Sequence, residues 1–189
     1  MPPHERTIGR LWRDAVARQH NSPPYLAEHA GRWVEVSWGD AATRVDELAN
    51  GLLARGVRKA DAFGIVSSTR VEWALVDFAL ALVGAVTAPV YANSSPADCR
   101  YVLDHSEAIG VFVEDDEQLA KIDDARGALP LLRHVIAFPD LDALAEEGRT
   151  FAARHPEALD EAESAVFEDD LFTYIYTSGT TGPPKACML

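Results

Sequence analysis

Residues 62–138 constrain the fold most tightly, because short apolar runs recur there between segments of helical period. Residues 62–66, 85–90, 109–113 and 135–138 read as strands. The run 85–90 is apolar without alternation, as a strand covered on both faces requires. Between the strands, segment 70–83 carries Trp73, Val76, Leu80 and Val83 at helical spacing, and segment 115–128 is also helical. Parallel strands need crossover connections of this kind, and the twist of the chain makes those crossovers right-handed. The expected fold class is therefore α/β, a mainly parallel sheet with helices on both faces, built from βαβ units. Ligands of such sheets sit at the carboxyl ends of the strands.

Local punctuation supports these elements. Residues 40–55 place Ala41, Val45, Leu48, Ala49 and Leu52 on one helical face, and Gly56 follows at the position where a left-handed residue ends a helix. Gly84 closes the next helix. Ser95 followed by Pro96 offers an N-cap with proline at the first helical position, and Tyr101, Val102 and Leu103 carry that helix toward His105. Near the start, Leu11, Trp12, Ala15 and Val16 form a short amphipathic helix stopped by Asn21-Ser-Pro-Pro, and two short strands follow at 25–28 and 32–37. Residues 140–164 are polar, acidic and helical in character, with breaks expected near Gly148 and Pro156. A final strand, 171–176, delivers the chain into Thr177-Ser-Gly-Thr-Thr-Gly-Pro-Pro-Lys185.

Charge and composition remove several function classes. The formal net charge of the 189 residues is −13, which argues against binding nucleic acid by bulk electrostatics. Up to Leu103 there are 11 basic and 11 acidic residues, and from Asp104 onward 6 and 19, so the whole excess lies in the second half. This reads as the solvated face of surface helices. Two cysteines, Cys99 and Cys187, cannot form a disulfide framework and read as inert thiols in apolar surroundings. The first residues are polar where a secretory signal needs an apolar core, and residues 74–92 are interrupted by Asp77, Gly84, Thr87 and Pro89, too polar for a membrane span. A cytoplasmic setting is expected, with peripheral association at the inner face of the membrane left open.

The nine residues 177–185 carry the chemistry. Gly179 and Gly182 let backbone N–H groups approach an anion without a Cβ in the way. Thr177, Ser178, Thr180 and Thr181 bring hydroxyls that can donate to phosphate oxygens or coordinate a metal ion. Lys185 brings a full positive charge, and Pro183 and Pro184 restrict the arm that holds it. The spacing matches neither a Walker loop nor a G-x-G-x-x-G fingerprint. From composition alone, a phosphate cradle and an ordinary Ser/Thr/Gly turn both remain open.

The longer string Tyr174-Ile-Tyr-Thr-Ser-Gly-Thr-Thr-Gly-Pro-Pro-Lys185 closely resembles the signature of the AMP-forming, acyl-adenylating superfamily, which includes acyl-CoA synthetases, luciferases and peptide-synthetase adenylation domains. Upstream, Glu47-Leu-Ala-Asn-Gly-Leu, Val71-Glu-Trp, Ala85-Val-Thr-Ala-Pro-Val-Tyr and Tyr101-Val-Leu-Asp-His-Ser resemble the same family, and Tyr91-Ala-Asn-Ser-Ser with Asp104-His-Ser-Glu107 is most similar to long-chain fatty acyl-CoA synthetases. The resemblance implies a fatty acid–CoA ligase: ATP and a carboxylate give an acyl-adenylate and diphosphate, and coenzyme A then gives the thioester and AMP. By motif position, Thr177 would ligate Mg²⁺, Ser178, Gly179, Thr180, Thr181 and Gly182 would surround the β- and γ-phosphates, and Lys185 would neutralise them. The family usually has glycine after this lysine, and here stands Ala186; a positive φ there would cost about 1 kcal/mol.

The family's adenine, ribose, acyl and C-terminal lysine contacts lie downstream of this loop. The resemblance therefore implies that residues 1–189 are the N-terminal portion of an adenylate-forming domain, with the downstream part and the C-terminal domain absent and no catalytic residue within it. The partners implied are small molecules: ATP, a long-chain fatty acid and coenzyme A. An inactive truncated product, a ligase for an aryl or amino acid, and an unrelated flavodoxin-like phosphate module are the other readings. Outside the loop, His105, Glu114-Asp-Asp-Glu117 and Glu168-Asp-Asp170 read as structural, and Trp12, Trp33, Trp38 and Trp73 as core.

Overall fold

The computed structural model describes residues 6–177 and 184–189. Helix α1 (Ile8–Val16) is followed by a hairpin of β1 (Tyr25–His29) and β2 (Arg32–Val36), and then by α2 (Trp38–Ala54). The expected alternation comes next: β3 (Ala62–Ser67), α3 (Val71–Leu82), β4 (Val86–Tyr91), α4 (Pro96–His105), β5 (Gly110–Val113), α5 (Asp116–Ala125) and β6 (His134–Ala137). Two acidic helices, α6 (Leu141–Arg154) and α7 (Ala158–Ser164), lead to β7 (Tyr174–Thr177) and β8 (Lys185–Met188). Strands β3 to β6 form a parallel sheet in the order β4-β3-β5-β6.

Side-chain alternation on the central strands builds two cores. Phe63 and Ile65 of β3, with Phe112 of β5 and Ile136 of β6, point to the layer of α1, α2, α3 and α6, where they meet Leu48, Leu52, Leu80 and Leu144. Val66, Val111 and Val113 point the other way, to Leu103 and Cys99 of α4 and Ile122 of α5. Every residue of β3 and β5 is buried, as two covered faces require. The helix signals act as read. Ser95 and Asp98 form a reciprocal capping box, Asp115 caps α5, and Gly56 and Gly84 take left-handed φ values of 79° and 71°.

One expectation fails instructively. Gly148 does not break a helix; it lies in the middle of α6, where the glycine permits a close helix crossing. A Cβ on Gly148 would run into the carbonyl oxygen of Glu47 on α2, and one on Gly51 of α2 would run into that of Leu144. Across this contact Arg44 pairs with Asp142 at 2.6 Å, Arg55 with Glu147 at 2.8 Å, and Arg149 with Glu47 at 2.8 Å. The acidic second half is thus partly consumed by basic residues of α2. Pro156 does end α6, and α7 restarts beyond it. Trp33 also departs from expectation: it is 71% exposed on the outer face of the β1–β2 ribbon, where no described element covers it. Trp12 is buried, and Trp38 and Trp73 pack against the same core.

Asp77 was legible only as an interruption of an apolar run. On α3 it accepts a 2.7 Å hydrogen bond from the Thr87 hydroxyl, and Thr173 in turn donates at 3.0 Å to the Thr87 carbonyl, which links α3, β4 and the entry to β7. Burial pushes the Asp77 carboxyl up to about 6, against the hydrogen bond that favours its charged form.

Two predictions follow from this packing. Gly148→Ala should destabilise the chain by about 2 kcal/mol or more in chemical denaturation, since the obstacle is backbone. Gly127→Ala, where a Cβ meets open space, should stay within about 0.5 kcal/mol. For Asp77 the folded carboxyl holds its proton to a higher pH than the unfolded one, so its contribution is full below the unfolded value of 3.8 and is lost as pH rises toward about 6. Asp77→Asn keeps an acceptor for Thr87 and removes that loss: it should match the parent near pH 4 and exceed it by roughly 3 kcal/mol at pH 7.

Candidate functional site

The site begins with a missing hydrogen-bond donor. Along β4, successive N–H groups face alternate neighbours: that of Val86 donates to the Asp61 carbonyl on the β3 side at 2.8 Å, and that of Thr87 to the Phe172 carbonyl at 3.0 Å on the side of β7. A parallel bridge joins Thr87 to Thr173 at this point. The next residue of β4 facing β7 is Pro89, which has no N–H to give. The ladder stops there. On its other edge β7 pairs with β8, antiparallel, with Tyr176 opposite Ala186 and Thr177 opposite Lys185; this pairing already starts at Thr173 and Leu189, where the bridge to β4 still holds.

The separation of β7 from β4 opens a cleft of about 270 Å³ at the carboxyl ends of the strands. Ser68 and Thr69 line it after β3, Trp73 from α3, Tyr91 at the end of β4, and Ile175 and Tyr176 from β7. This is the end of the sheet where ligands of α/β folds bind. The neighbouring crevice, between β3 and β5 where the strand order reverses, is filled by a carboxylate. Glu114 accepts from the Ser68 N–H at 2.7 Å, the Ser68 hydroxyl at 2.8 Å and Arg70 at 3.2 Å. Partial burial acts the other way, but the Ser68 hydrogen bonds and the Arg70 guanidinium hold Glu114 below the usual carboxylate range. A fixed anion there is the wrong partner for a phosphate, which removes the observation a flavodoxin-like site would need.

Of the residues singled out in sequence, Thr177 ends β7 and Lys185 begins β8, both exposed and in register. Ser178, Gly179, Thr180, Thr181 and Gly182 lie outside the described residues. Lys59 pairs with Asp170 at 2.6 Å and Lys121 donates to the Ala92 carbonyl at 2.6 Å; among the described residues, Lys185 has no such partner. Ala186 sits within β8 without a left-handed φ, so alanine brings no backbone cost there. Cys99 is buried as expected, and burial pushes its thiol up. Cys187 is not in the core: it is exposed on β8, whose outer face no described residue covers.

Sequence inspection missed β8 itself, because Lys-Ala-Cys-Met lacks the β-branched and aromatic residues that mark strands. It also missed the part played by α4. Tyr101 donates from its hydroxyl to the Pro184 carbonyl at 2.8 Å, and His105 Nδ1 shares a 2.9 Å hydrogen bond with the Tyr176 hydroxyl. The four-residue spacing that puts both rings on one helix face was the available signal. Glu114 to Glu117 behave as a strand end and helix N-terminus, and Asp170 pairs with Lys59. Among the described residues no group of three His, Cys, Asp or Glu could hold a metal, and no helix is long and apolar enough to cross a membrane.

Known proteins share this arrangement. A curated long-chain-fatty-acid–CoA ligase, FadD15 of Mycobacterium bovis, is 41% identical over 164 residues, covering 84% of this chain and 27% of its own length. The long-chain-fatty-acid–CoA ligase heimdall of Drosophila melanogaster is 30% identical over 207 residues, covering all of this chain and 30% of its own. This chain therefore spans less than a third of the length of these relatives. Among solved structures, a Mycobacterium tuberculosis fatty acyl CoA synthetase superposes with a TM-score of 0.77 at 22% identity, over 99% of this chain and 35% of that one. The anthranilate CoA ligase AuaEII, solved with anthranoyl-AMP, superposes with a TM-score of 0.73 at 19% identity, over 96% of this chain and 33% of that one. The family model for the AMP-binding enzymes matches residues 12–189, and on that match this chain belongs to the AMP-binding enzyme family.

Proposed function

We propose that this chain is the N-terminal portion of an AMP-forming long-chain fatty acid–CoA ligase and supplies the arm that handles the triphosphate of ATP. The observation that carries the reading is the β7–β8 register, which sets Thr177 opposite Lys185, a lysine with no partner among the described residues, beyond the carboxyl end of the parallel sheet and next to the cleft. The choice of a fatty acid as substrate leans on the 41% identical relative, whose name states that activity.

The chemistry asks for what this arm offers. When a carboxylate oxygen attacks the α-phosphorus, negative charge grows on the departing diphosphate. Donors and cations aimed at those oxygens stabilise that charge more than they stabilise the ground state. Lys185 neutralises phosphate oxygens, and the 177–182 backbone and hydroxyls donate to them. Mg²⁺ accompanying the nucleotide supplies further positive charge. Thr177 offers one neutral oxygen, which suits a single position in a Mg²⁺ shell otherwise filled by phosphate oxygens and water. In a half of the chain with 19 acidic residues and 6 basic ones, Lys185 is a scarce cation, and among the described residues none forms an ion pair with it. Attack by coenzyme A on the acyl-adenylate completes the cycle in the longer protein.

The test is ATP–pyrophosphate exchange in the protein that carries this segment, screened over acyl chain length. Exchange should depend on a long-chain fatty acid, and Lys185→Ala should lower it by roughly 10²-fold, as removal of one charge-stabilising donor does. The 189-residue chain alone should give none. Exchange with aryl or amino acids and none with any fatty acid overturns the substrate assignment; unchanged exchange in Lys185→Ala overturns the role of the arm.

A further inference from the structure

Helix α4 touches the β7–β8 hairpin at the base of the loop, at Tyr176 on β7 and at Pro184 just before β8. Tyr101 and His105 are one helical turn apart, with ring centroids 5.4 Å from each other in stacked geometry. From this stacked pair one hydrogen bond goes to each strand. The Tyr101 hydroxyl donates to the Pro184 carbonyl, immediately before Lys185, across 83 residues of sequence. His105 Nδ1 meets the hydroxyl of Tyr176, immediately before Thr177, across 71 residues. The Tyr176 ring stands edge-on to both, with centroids 6.3 Å from Tyr101 and 5.7 Å from His105.

Cys99, Val102 and Leu103 dock α4 in the second core, and Tyr101 and Tyr176 pack against that same core while making these polar contacts. Tyr101 and His105 also reach the β7–β8 ribbon, whose backbone link to the parallel sheet among the described residues is the Thr87–Thr173 bridge and the adjoining Thr87–Phe172 hydrogen bond, just before β7. A two-stranded ribbon is marginal by itself. Its orientation relative to the cleft is therefore set by what grips it from outside.

Resting on the reading of residues 177–185 as the triphosphate arm, we propose that Tyr101 and His105 are positioning residues of that arm: a two-point clamp that fixes both strands of the hairpin, so that Thr177 and Lys185 face the nucleotide together. Neither residue touches substrate. Burial, with Tyr101 and Tyr174 nearby, pushes the Tyr176 hydroxyl up to about 12, so that end of the clamp keeps its proton throughout the neutral range. The chemical class of ligand served is a nucleoside triphosphate. The acyl substrate is bound elsewhere and does not feel the clamp directly.

Two readouts decide this. In hydrogen exchange on the 189-residue chain, Tyr101→Phe and His105→Ala should each speed exchange of the β7 and β8 amides about five- to tenfold, the scale of one lost hydrogen bond. Amides of β3 and β5 should not change. His105→Asn, which restores a polar atom near the Nδ1 position, should stay within about twofold of the parent. Unprotected hairpin amides in the parent chain, unchanged exchange in the variants, or equal acceleration in β3 and β5 would overturn the clamp. In the longer enzyme, Tyr101→Phe should raise KM for ATP five- to tenfold and leave KM for the carboxylate within twofold. A fall in kcat with both KM values unchanged is the mark of a smaller folded fraction and overturns positioning. If the parent enzyme shows no exchange activity, the functional reading fails, while the hydrogen-exchange result still decides the clamp.

Discussion

Two-sided burial of the parallel sheet is the constraint on which the rest depends. β3 and β5 expose nothing, so each residue must satisfy one of two helical layers, and a register slip by one would exchange Phe63 and Ile65 for Gly64 and Val66 across the sheet. That fixes the strand ends, and the strand ends fix the location of the cleft. The functional elements are grafted where this regularity stops. Pro89 withholds the donor that would continue pairing to β7, whose other edge is paired with β8 from Thr173 onward. Beyond the edge of this open sheet, the β7–β8 pair carries two exposed side chains in register, Thr177 and Lys185.

The electrostatic arrangement follows the same division. Acidic α6 is tied to basic residues of α2, Glu114 is tied to Ser68 and Arg70, and Lys59 and Lys121 are each engaged. Lys185, at the start of β8 and opposite the end of β7, has no partner among the described residues. On the proposed reading, a phosphate-rich ligand would meet this cation on the hairpin, whereas the switch point of the sheet is occupied by the Glu114 carboxylate and its partners.

The alternation of strands and helices was legible because each element carries its own period, and Gly56, Gly84 and Ser95 mark their ends by local chemistry. The motif at 177–185 was legible as residue types, and the resemblance it carries agrees with the family match over residues 12–189. Features that depend on distant neighbours were not legible. Gly148 looks like a helix breaker until Glu47 is placed against it. Pro89 looks like an interruption until its missing N–H is known to face β7. Tyr101 gives no sign of Pro184. Trp33 and Cys187 look like core from their residue type, and only the absence of a covering element among the described residues shows them to be exposed. Pairing and approach are properties of the assembled sheet, and a one-dimensional pattern does not carry them.

The central claim is that the Thr177–Lys185 hairpin receives the phosphates of ATP. It is tested most directly by determining a structure of the longer protein with a non-hydrolysable ATP analogue bound. The account predicts the triphosphate at the mouth of the cleft between β4 and β7, with the Lys185 ammonium within ion-pair distance of a β- or γ-phosphate oxygen. A nucleotide seated at the Glu114 crevice, or one whose phosphates lie away from Lys185, would contradict it.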